Sequence, residues 1–444
     1  MFTSLFVYAI FKLKVLEKDV KIIMLAATPP MGWNSWDCYG ASVNEEEVRG
    51  NAEYMAAHLK GFGWEYVVVD IQWYEPGANS SQYRNFVPLV MDEYSRLQPA
   101  ENRFPSAKGG KGFAPLAEYV HGLGLKFGIH IMRGIPRQAV HAASSILGSE
   151  QTARDIAHPN SICPWNTDMY GVDASKEGSQ AYYDSLFQLY ASWGVDYVKV
   201  DDIAASRIYG YHKDEVAMIR KAIDRCGREM VLSLSPGPAP VEEAEHLAEH
   251  ANLWRMTDDY WDHWHLLRGM FERCEKWAPY VQPGHWPDCD MLPLGHLGIR
   301  SVDGGGDRFT RFTPDEQVTM MTLWTIFRSP LMFGGELRDN DEWTLSLLTN
   351  REVLHLHHFG KGGRQVERNE EYAIWTSEDE QGNHYVALFN LSDKESTLQV
   401  SFQKLNVSVP KTIRNLWQSH DLEVTNEGVT QVLPPHGSAL LKLL

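Results

Sequence analysis

The run Tyr197-Val-Lys-Val-Asp sets a lysine and an aspartate two residues apart, Lys199 and Asp201, inside a segment of β-type alternation. Period-two alternation points both side chains to one strand face, so the ammonium is expected to keep the carboxylate ionised. An aspartate held as an anion is a nucleophile for an electrophilic carbon. A second grouping, Trp254-Arg-Met-Thr-Asp-Asp-Tyr-Trp, sets Arg255 and Asp259 four apart among aromatic rings. Apolar surroundings and neighbouring acids raise a carboxyl pKa and suit the group to donating a proton. Two carboxylates with opposed environments are the acid/base and nucleophile of sugar hydrolysis, and a separation of about 5 to 5.5 Å between them means retention.

These groups need a scaffold that brings distant strand ends together. Between about residues 28 and 350, short β-type runs alternate with longer helical patterns. We count eight runs: 31–36, 66–70, 125–131, 197–201, 230–235, 253–257, 286–292 and 323–333. Amphipathic stretches 45–60, 113–123, 178–193 and 213–225 lie between them, with Gly61, Gly124, Gly194 and Gly227 as expected left-handed stops. No Gly-rich dinucleotide fingerprint follows the first run, which favours a closed barrel over a doubly wound sheet. Past residue 350 the runs become short and alternating, as in an antiparallel β-sandwich. The expected fold class is therefore α/β, a (β/α)8 TIM barrel followed by a C-terminal antiparallel β-sandwich. The expected domains are an N-terminal extension (1–26), the catalytic barrel (27–352) and the sandwich (353–444).

In such a barrel the C-terminal strand ends converge on one mouth. Here they supply Trp36, Asp70, His130, Lys199 with Asp201 and Asp202, Ser235, Arg255 with Asp258 and Asp259, and Asp288 with Asp290. One such carboxylate could cap a helix, but carboxylates from four strands crowded into one mouth repel unless they have partners and work.

Composition narrows the partners. With 58 acidic against 41 basic residues among 444, the net charge of −17 repels nucleic acid and anionic membrane surfaces. The five cysteines are irregularly spaced and form no CxxC pair, so they read as reduced thiols, and the expected location is cytoplasmic. The first residues lack a basic n-region and an A-x-A site, so no signal peptide is expected. The Lys108-Gly-Gly-Lys-Gly and Gly304-Gly-Gly runs read as flexible loops, and His355-Leu-His-His as an interfacial cluster without metal-ligand spacing. No cofactor and no metal are expected, and a homo-oligomer stays open.

Several motifs occur in order: Thr28-Pro-Pro-Met-Gly-Trp-Asn-Ser-Trp, Tyr66-Val-Val-Val-Asp, Gly124-Leu-Lys-Phe-Gly-Ile, Tyr197-Val-Lys-Val-Asp, Trp254-Arg-Met-Thr-Asp-Asp and Trp286-Pro-Asp-Cys-Asp-Met-Leu. Together they resemble glycoside hydrolase family 27, the α-galactosidase and α-N-acetylgalactosaminidase family. The resemblance implies a retaining exo-glycosidase for terminal α-D-galactosyl or α-N-acetylgalactosaminyl residues. Asp201 would be its nucleophile and Asp259 its acid/base. It also implies that Trp36 walls the sugar while Asp70, Lys199, Arg255 and Asp290 hold its hydroxyls.

Five positions depart from the family. Ile71 and Gln72 stand in the usual D-D-C-W stretch, and Ile71 cannot accept a hydrogen bond from a sugar 6-hydroxyl. A ring without that group, such as L-arabinopyranose, becomes an alternative substrate. His130 stands where the family commonly has Tyr, and Ser235 where α-galactosidases have Glu and N-acetylgalactosaminidases Ser. Gln72 and Ile203 also replace cysteines that the family pairs. A divalent-metal lyase or isomerase using Asp70, Asp201, Asp202 and Asp290 is the alternative from another class, and Lys199, a cation aimed at the same spot, opposes it.

Overall fold

The computed structural model describes residues 24–444. The expectation for the N-terminal extension falls almost wholly outside those residues. Eight parallel strands form one sheet: β1 (Met31–Asn34), β2 (Tyr66–Val69), β3 (Lys126–Met132), β4 (Tyr197–Asp201), β5 (Val231–Leu234), β6 (Leu253–Arg255), β7 (Trp286–Asp288) and β8 (Leu331–Phe333). Seven neighbour pairings run β7-β6-β5-β4-β3-β2-β1-β8. The ring closes just beyond β7, where Leu292 N–H donates to Met332 C=O at 2.7 Å and Leu292 bridges Phe333. The fold is the expected TIM barrel.

Four expected strands, the first, second, fifth and sixth, overrun the observed ones by a residue or two at their polar ends, where the chain turns out into the mouth, and the seventh overruns by four. The eighth differs more. Its first half, through Phe327, belongs to the helix Pro314–Phe327, whose start carries a Thr313/Glu316 capping box with Pro at the first position. That helix is buried nearly all round, so it lacks the polar face that would separate it from a strand.

The helices Glu45–His58, Ala114–Gly122, Ser179–Trp193 and Lys213–Arg225 lie where the amphipathic stretches place them. Gly124, Gly194 and Gly227 take the left-handed conformation after three of them (φ 73°, 82° and 81°). After the first helix, a 3-10 turn over Lys60–Phe62 moves that conformation from Gly61 to Gly63 (φ 98°).

The helix Arg351–Phe359 is followed by antiparallel strands β9 (Lys361–Arg368), β10 (Tyr372–Glu378), β11 (His384–Asn390), β12 (Ser396–Val400), β13 (Ile413–Asn415), β14 (His420–Leu422), β15 (Val429–Leu433) and β16 (Ser438–Leu443). A six-stranded sheet, β9-β10-β11-β16-β13-β14, faces the β12-β15 pair. Along β10 and β11, Ile374, Val386 and Leu388 point to the sandwich interior while Trp375, Ala387 and Phe389 join the barrel core. Edge-to-face contacts Phe271–Phe389 and Phe327–Trp375 bond the two units. Within the sandwich, alternation also suggests a strand at 407–409, but these residues are irregular, whereas β9 and β14 are strands that alternation does not disclose.

Candidate active site

A cavity of about 410 Å³ opens at the C-terminal ends of the barrel strands. Seven of the nine sequence-derived site residues line it: Trp36, Asp70, Lys199, Asp201, Arg255, Asp259 and Asp290.

Asp70, just past β2, is buried and held from four sides. Its carboxylate accepts from Asn34 Nδ2 (2.8 Å) and Ile71 N–H (2.8 Å) and pairs with Lys199 Nζ at 3.0 Å, while its own N–H donates to Ser35 Oγ at 3.0 Å. Burial alone pushes this carboxyl up, but the Lys199 and His130 charges and the two hydrogen bonds hold it well below the usual range. Lys199 therefore pairs with Asp70 rather than with its strand neighbour.

Asp201 is fixed differently. His130, wholly buried on β3, places Nε2 at 3.0 Å from Asp201 Oδ2, and Asp202 N–H donates to Oδ1 at 2.7 Å. Burial pushes the Asp201 carboxyl up; the His130 hydrogen bond and charge, with the Lys199 ammonium, outweigh it and hold the group below its ordinary value. His130 is not a lining residue; it stands behind Asp201. Ser235 is also outside the lining, its Oγ turned to Val200 C=O at 3.4 Å, and Pro236 reaches the cavity instead.

Asp259 does not have the desolvated, aromatic setting expected of it. Its side chain is 52% exposed and pairs with Arg255 Nη2 at 2.9 Å. The same guanidinium meets Asp290 at 3.1 Å, and Asp290 accepts from Tyr260 N–H at 2.9 Å. Asp290 takes φ 78°, a backbone position that disfavours a side chain and persists only where surroundings enforce it. Asp262 is buried and receives Arg308 (2.6 Å), Arg311 (3.1 Å) and Arg311 N–H (2.7 Å), so it anchors the glycine loop instead of touching the cavity. Asp258 accepts from Asp259 N–H at 3.0 Å and faces Arg207 at 3.6 Å on the rim.

Residues from long loops complete the walls. Trp36 stacks on Tyr83 (6.2 Å, 17°), and Tyr83 leans on Trp165 (5.5 Å). Ser81 and Tyr83 come from the irregular segment between β2 and the helix Ala114–Gly122, and Arg207 and Asp303 from other loops; no periodicity marks them. Asp37, adjacent to Trp36, also lines the cavity, and burial followed by the Asp290 charge pushes its carboxyl well up. Ile71 presents an apolar side chain beside Asp70. Among the described residues, no three His, Cys, Asp or Glu side chains are grouped to hold a metal ion. Within the site, Lys199 and Arg255 set two cations among the carboxylates.

A polar mouth with a cation-bound carboxylate from β2, an aspartate at the end of β4 and a second after β6 offers the paired carboxyls that sugar cleavage requires. Sequence comparison decides its lineage. The family described as Alpha galactosidase A matches residues 28–176 and 170–358, and the Alpha galactosidase C-terminal beta sandwich domain matches 369–443. The chain belongs to glycoside hydrolase family 27. It is thus a glycosidase, and Alpha-galactosidase 2 of Arabidopsis thaliana is 25% identical to it over 424 residues, covering 94% of this chain and 90% of the relative. Alpha-galactosidase A of Cellvibrio japonicus is 27% identical over 453 residues (95% and 93%). Among solved structures, a family 27 β-L-arabinopyranosidase from Geobacillus stearothermophilus is 70% identical with a TM-score of 0.94, covering 94% of this chain and 97% of that one. A putative α-N-acetylgalactosaminidase from Bacillus halodurans is 62% identical with a TM-score of 0.86, at the same coverage. Among the described residues no helix is long and apolar enough to cross a membrane, and all five cysteines are free.

Proposed function

We propose that this family 27 glycosidase is a retaining exo-β-L-arabinopyranosidase. β-L-Arabinopyranose has the ring configuration of α-D-galactopyranose without the hydroxymethyl group, so one set of hydroxyl-binding residues serves both. The observation that carries the choice is Ile71. It lines the cavity beside Asp70 and offers no acceptor to a 6-hydroxyl, which would be desolvated without a partner. The likeness to the Geobacillus stearothermophilus β-L-arabinopyranosidase supports the same reading. Terminal α-galactosyl and α-N-acetylgalactosaminyl residues are the competing substrates. The side chain of Ser235 gives the second no support, since it faces a strand carbonyl.

In the proposed reaction Asp201 attacks the anomeric carbon as a carboxylate while Asp259 gives its proton to the departing glycosidic oxygen. The C–O bond breaks and a glycosyl ester forms on Asp201. Water then attacks the same carbon, Asp259 takes its proton, and Asp201 leaves with overall retention. Asp70, Lys199, Arg255 and Asp290 hold ring hydroxyls and Trp36 covers the apolar ring face.

A panel of nitrophenyl glycosides tests it: β-L-arabinopyranoside, α-D-galactoside, α-N-acetylgalactosaminide and α-D-glucoside. The expected order of kcat/KM puts the arabinopyranoside first, roughly 10- to 100-fold above the galactoside, which is what one misplaced hydroxymethyl is worth. A galactoside or N-acetylgalactosaminide turned over faster than the arabinopyranoside overturns the assignment.

A further inference from the structure

The backbone that presents Asp201 is bound on its far side by a buried ionic cluster that takes no part in the cavity. Arg133, one residue past β3, meets the Asp201–Asp202 segment three times. Its N–H donates to Asp201 C=O at 3.0 Å, its Nε donates to Asp202 C=O at 2.6 Å, and its Nη2 makes a 2.9 Å ion contact, outside hydrogen-bond alignment, with Asp202 Oδ2. The guanidinium is itself locked: Nη1 donates to Glu215 (3.1 Å) and Ser161 (3.2 Å), and Glu215 accepts from Tyr183 OH at 2.6 Å. A Cβ on Gly171 would lie 2.7 Å from Ser161 Oγ and 2.8 Å from Nη1, so a side chain there would crowd both members of this contact.

Asp202 needs this support. It has φ 55°, in the left-handed region that side chains disfavour, and its N–H is the donor to Asp201 Oδ1 at 2.7 Å. Any relaxation of that turn swings this N–H, and the carboxylate with it. No disulfide ties the segment, because all the cysteines are free. Arg133, Asp202 and Glu215 are all nearly inaccessible to solvent, and ions removed from water are costly unless mutually paired. Stability alone is poorly served by such a cluster, since apolar residues of similar size stabilise as well or better.

We propose that Arg133 is a positioning residue for the nucleophile: it clamps the strained Asp202 turn and thereby aims the Asp201 carboxylate at the anomeric carbon. This rests on the reading of Asp201 as nucleophile. Substrate hydroxyls are held by other residues, so loosening the clamp slows covalent bond formation without weakening sugar binding.

The test is covalent labelling with cyclitol aziridines of arabinopyranose and galactose configuration. In the reaction the carboxylate oxygen bonds to a ring carbon, the C–N bond breaks and the nitrogen takes up a proton. Full-length wild type, Arg133→Lys, Arg133→Met and Asp202→Asn are compared for the inactivation rate constant, the inhibitor half-saturation constant, the labelled peptide and the melting temperature. The expected result is label on Asp201 in wild type and a rate constant lowered about tenfold or more in Arg133→Met and Asp202→Asn, because small misplacements of a reacting group are costly. Half-saturation should stay within about twofold, and Arg133→Lys should recover part of the rate. A lowered melting temperature with an unchanged rate constant per labelled site means a structural role only and overturns the proposal. Should Arg133→Met not fold, Asp202→Asn and Arg133→Lys decide in the same way. Wild type labelled at another residue refutes the nucleophile assignment itself, a different outcome from normal labelling of the variants.

Discussion

His130 Nε2 lies 3.0 Å from Asp201 Oδ2, so the partner of the proposed nucleophile comes from the neighbouring strand, not from Lys199 on its own strand. Removing that contact takes away the largest influence that lowers the Asp201 carboxyl against burial, so the group rises. The active form is the carboxylate. His130→Phe should therefore shift the acid limb of the kcat/KM profile toward higher pH, with a smaller loss at the pH optimum. An unmoved acid limb would separate His130 from the ionisation of Asp201.

Asp201→Asn should lower kcat by at least about a thousandfold while leaving the melting temperature near that of the parent, because the amide keeps the shape but cannot attack. Asp259→Asn should depend on the leaving group. Its loss should be on the order of 10²- to 10⁴-fold for a sugar aglycone and much smaller for a nitrophenyl one, which departs with little protonation. Equal losses on both substrates would remove Asp259 from the acid role.

Ile71→Asp places an acceptor beside Asp70, where a 6-hydroxyl would sit. The ratio of kcat/KM for galactoside over arabinopyranoside should rise about tenfold or more, read from the same nitrophenyl pair. A ratio that does not move means that another residue selects the sugar.

Asp288 is pushed up to about 7, first by burial and then by the charge of Asp290. A carboxyl raised on folding stabilises fully below its unfolded value of about 4, and that contribution is lost as pH rises through about 7. Asp288→Asn does not titrate and keeps an acceptor for Asp290 N–H, which Asp288 Oδ1 now receives at 2.9 Å. The variant should gain on the parent as pH rises from 4.5 to 8, by on the order of 2–4 kcal/mol in unfolding free energy. Denaturation at both pH values reads this directly, and a pH-independent difference contradicts it.

Local chemistry was enough to disclose the strands, most helices and the residues at the mouth. Apolar runs with polar ends mark the parallel strands, and three helices stop where a glycine can turn left-handed. Motif order identified the family from the same residues. The eighth strand was harder, because the helix Pro314–Phe327, buried nearly all round, carries no amphipathic signal.

What the sequence by itself determined is which residues stand at the strand ends, since two-residue periodicity is a property of any extended chain. Who pairs with whom was decided by the closed barrel. Side chains two apart on a strand are separated by about 6.6 Å, too far for an ion pair unless they lean together, whereas neighbouring strands lie about 4.8 Å apart. Curvature adds residues from more distant strands, so Lys199 finds Asp70 and Arg255 reaches both Asp259 and Asp290. The same geometry puts His130 behind Asp201 and turns Ser235 away from the cavity, neither of which spacing along the chain can reveal.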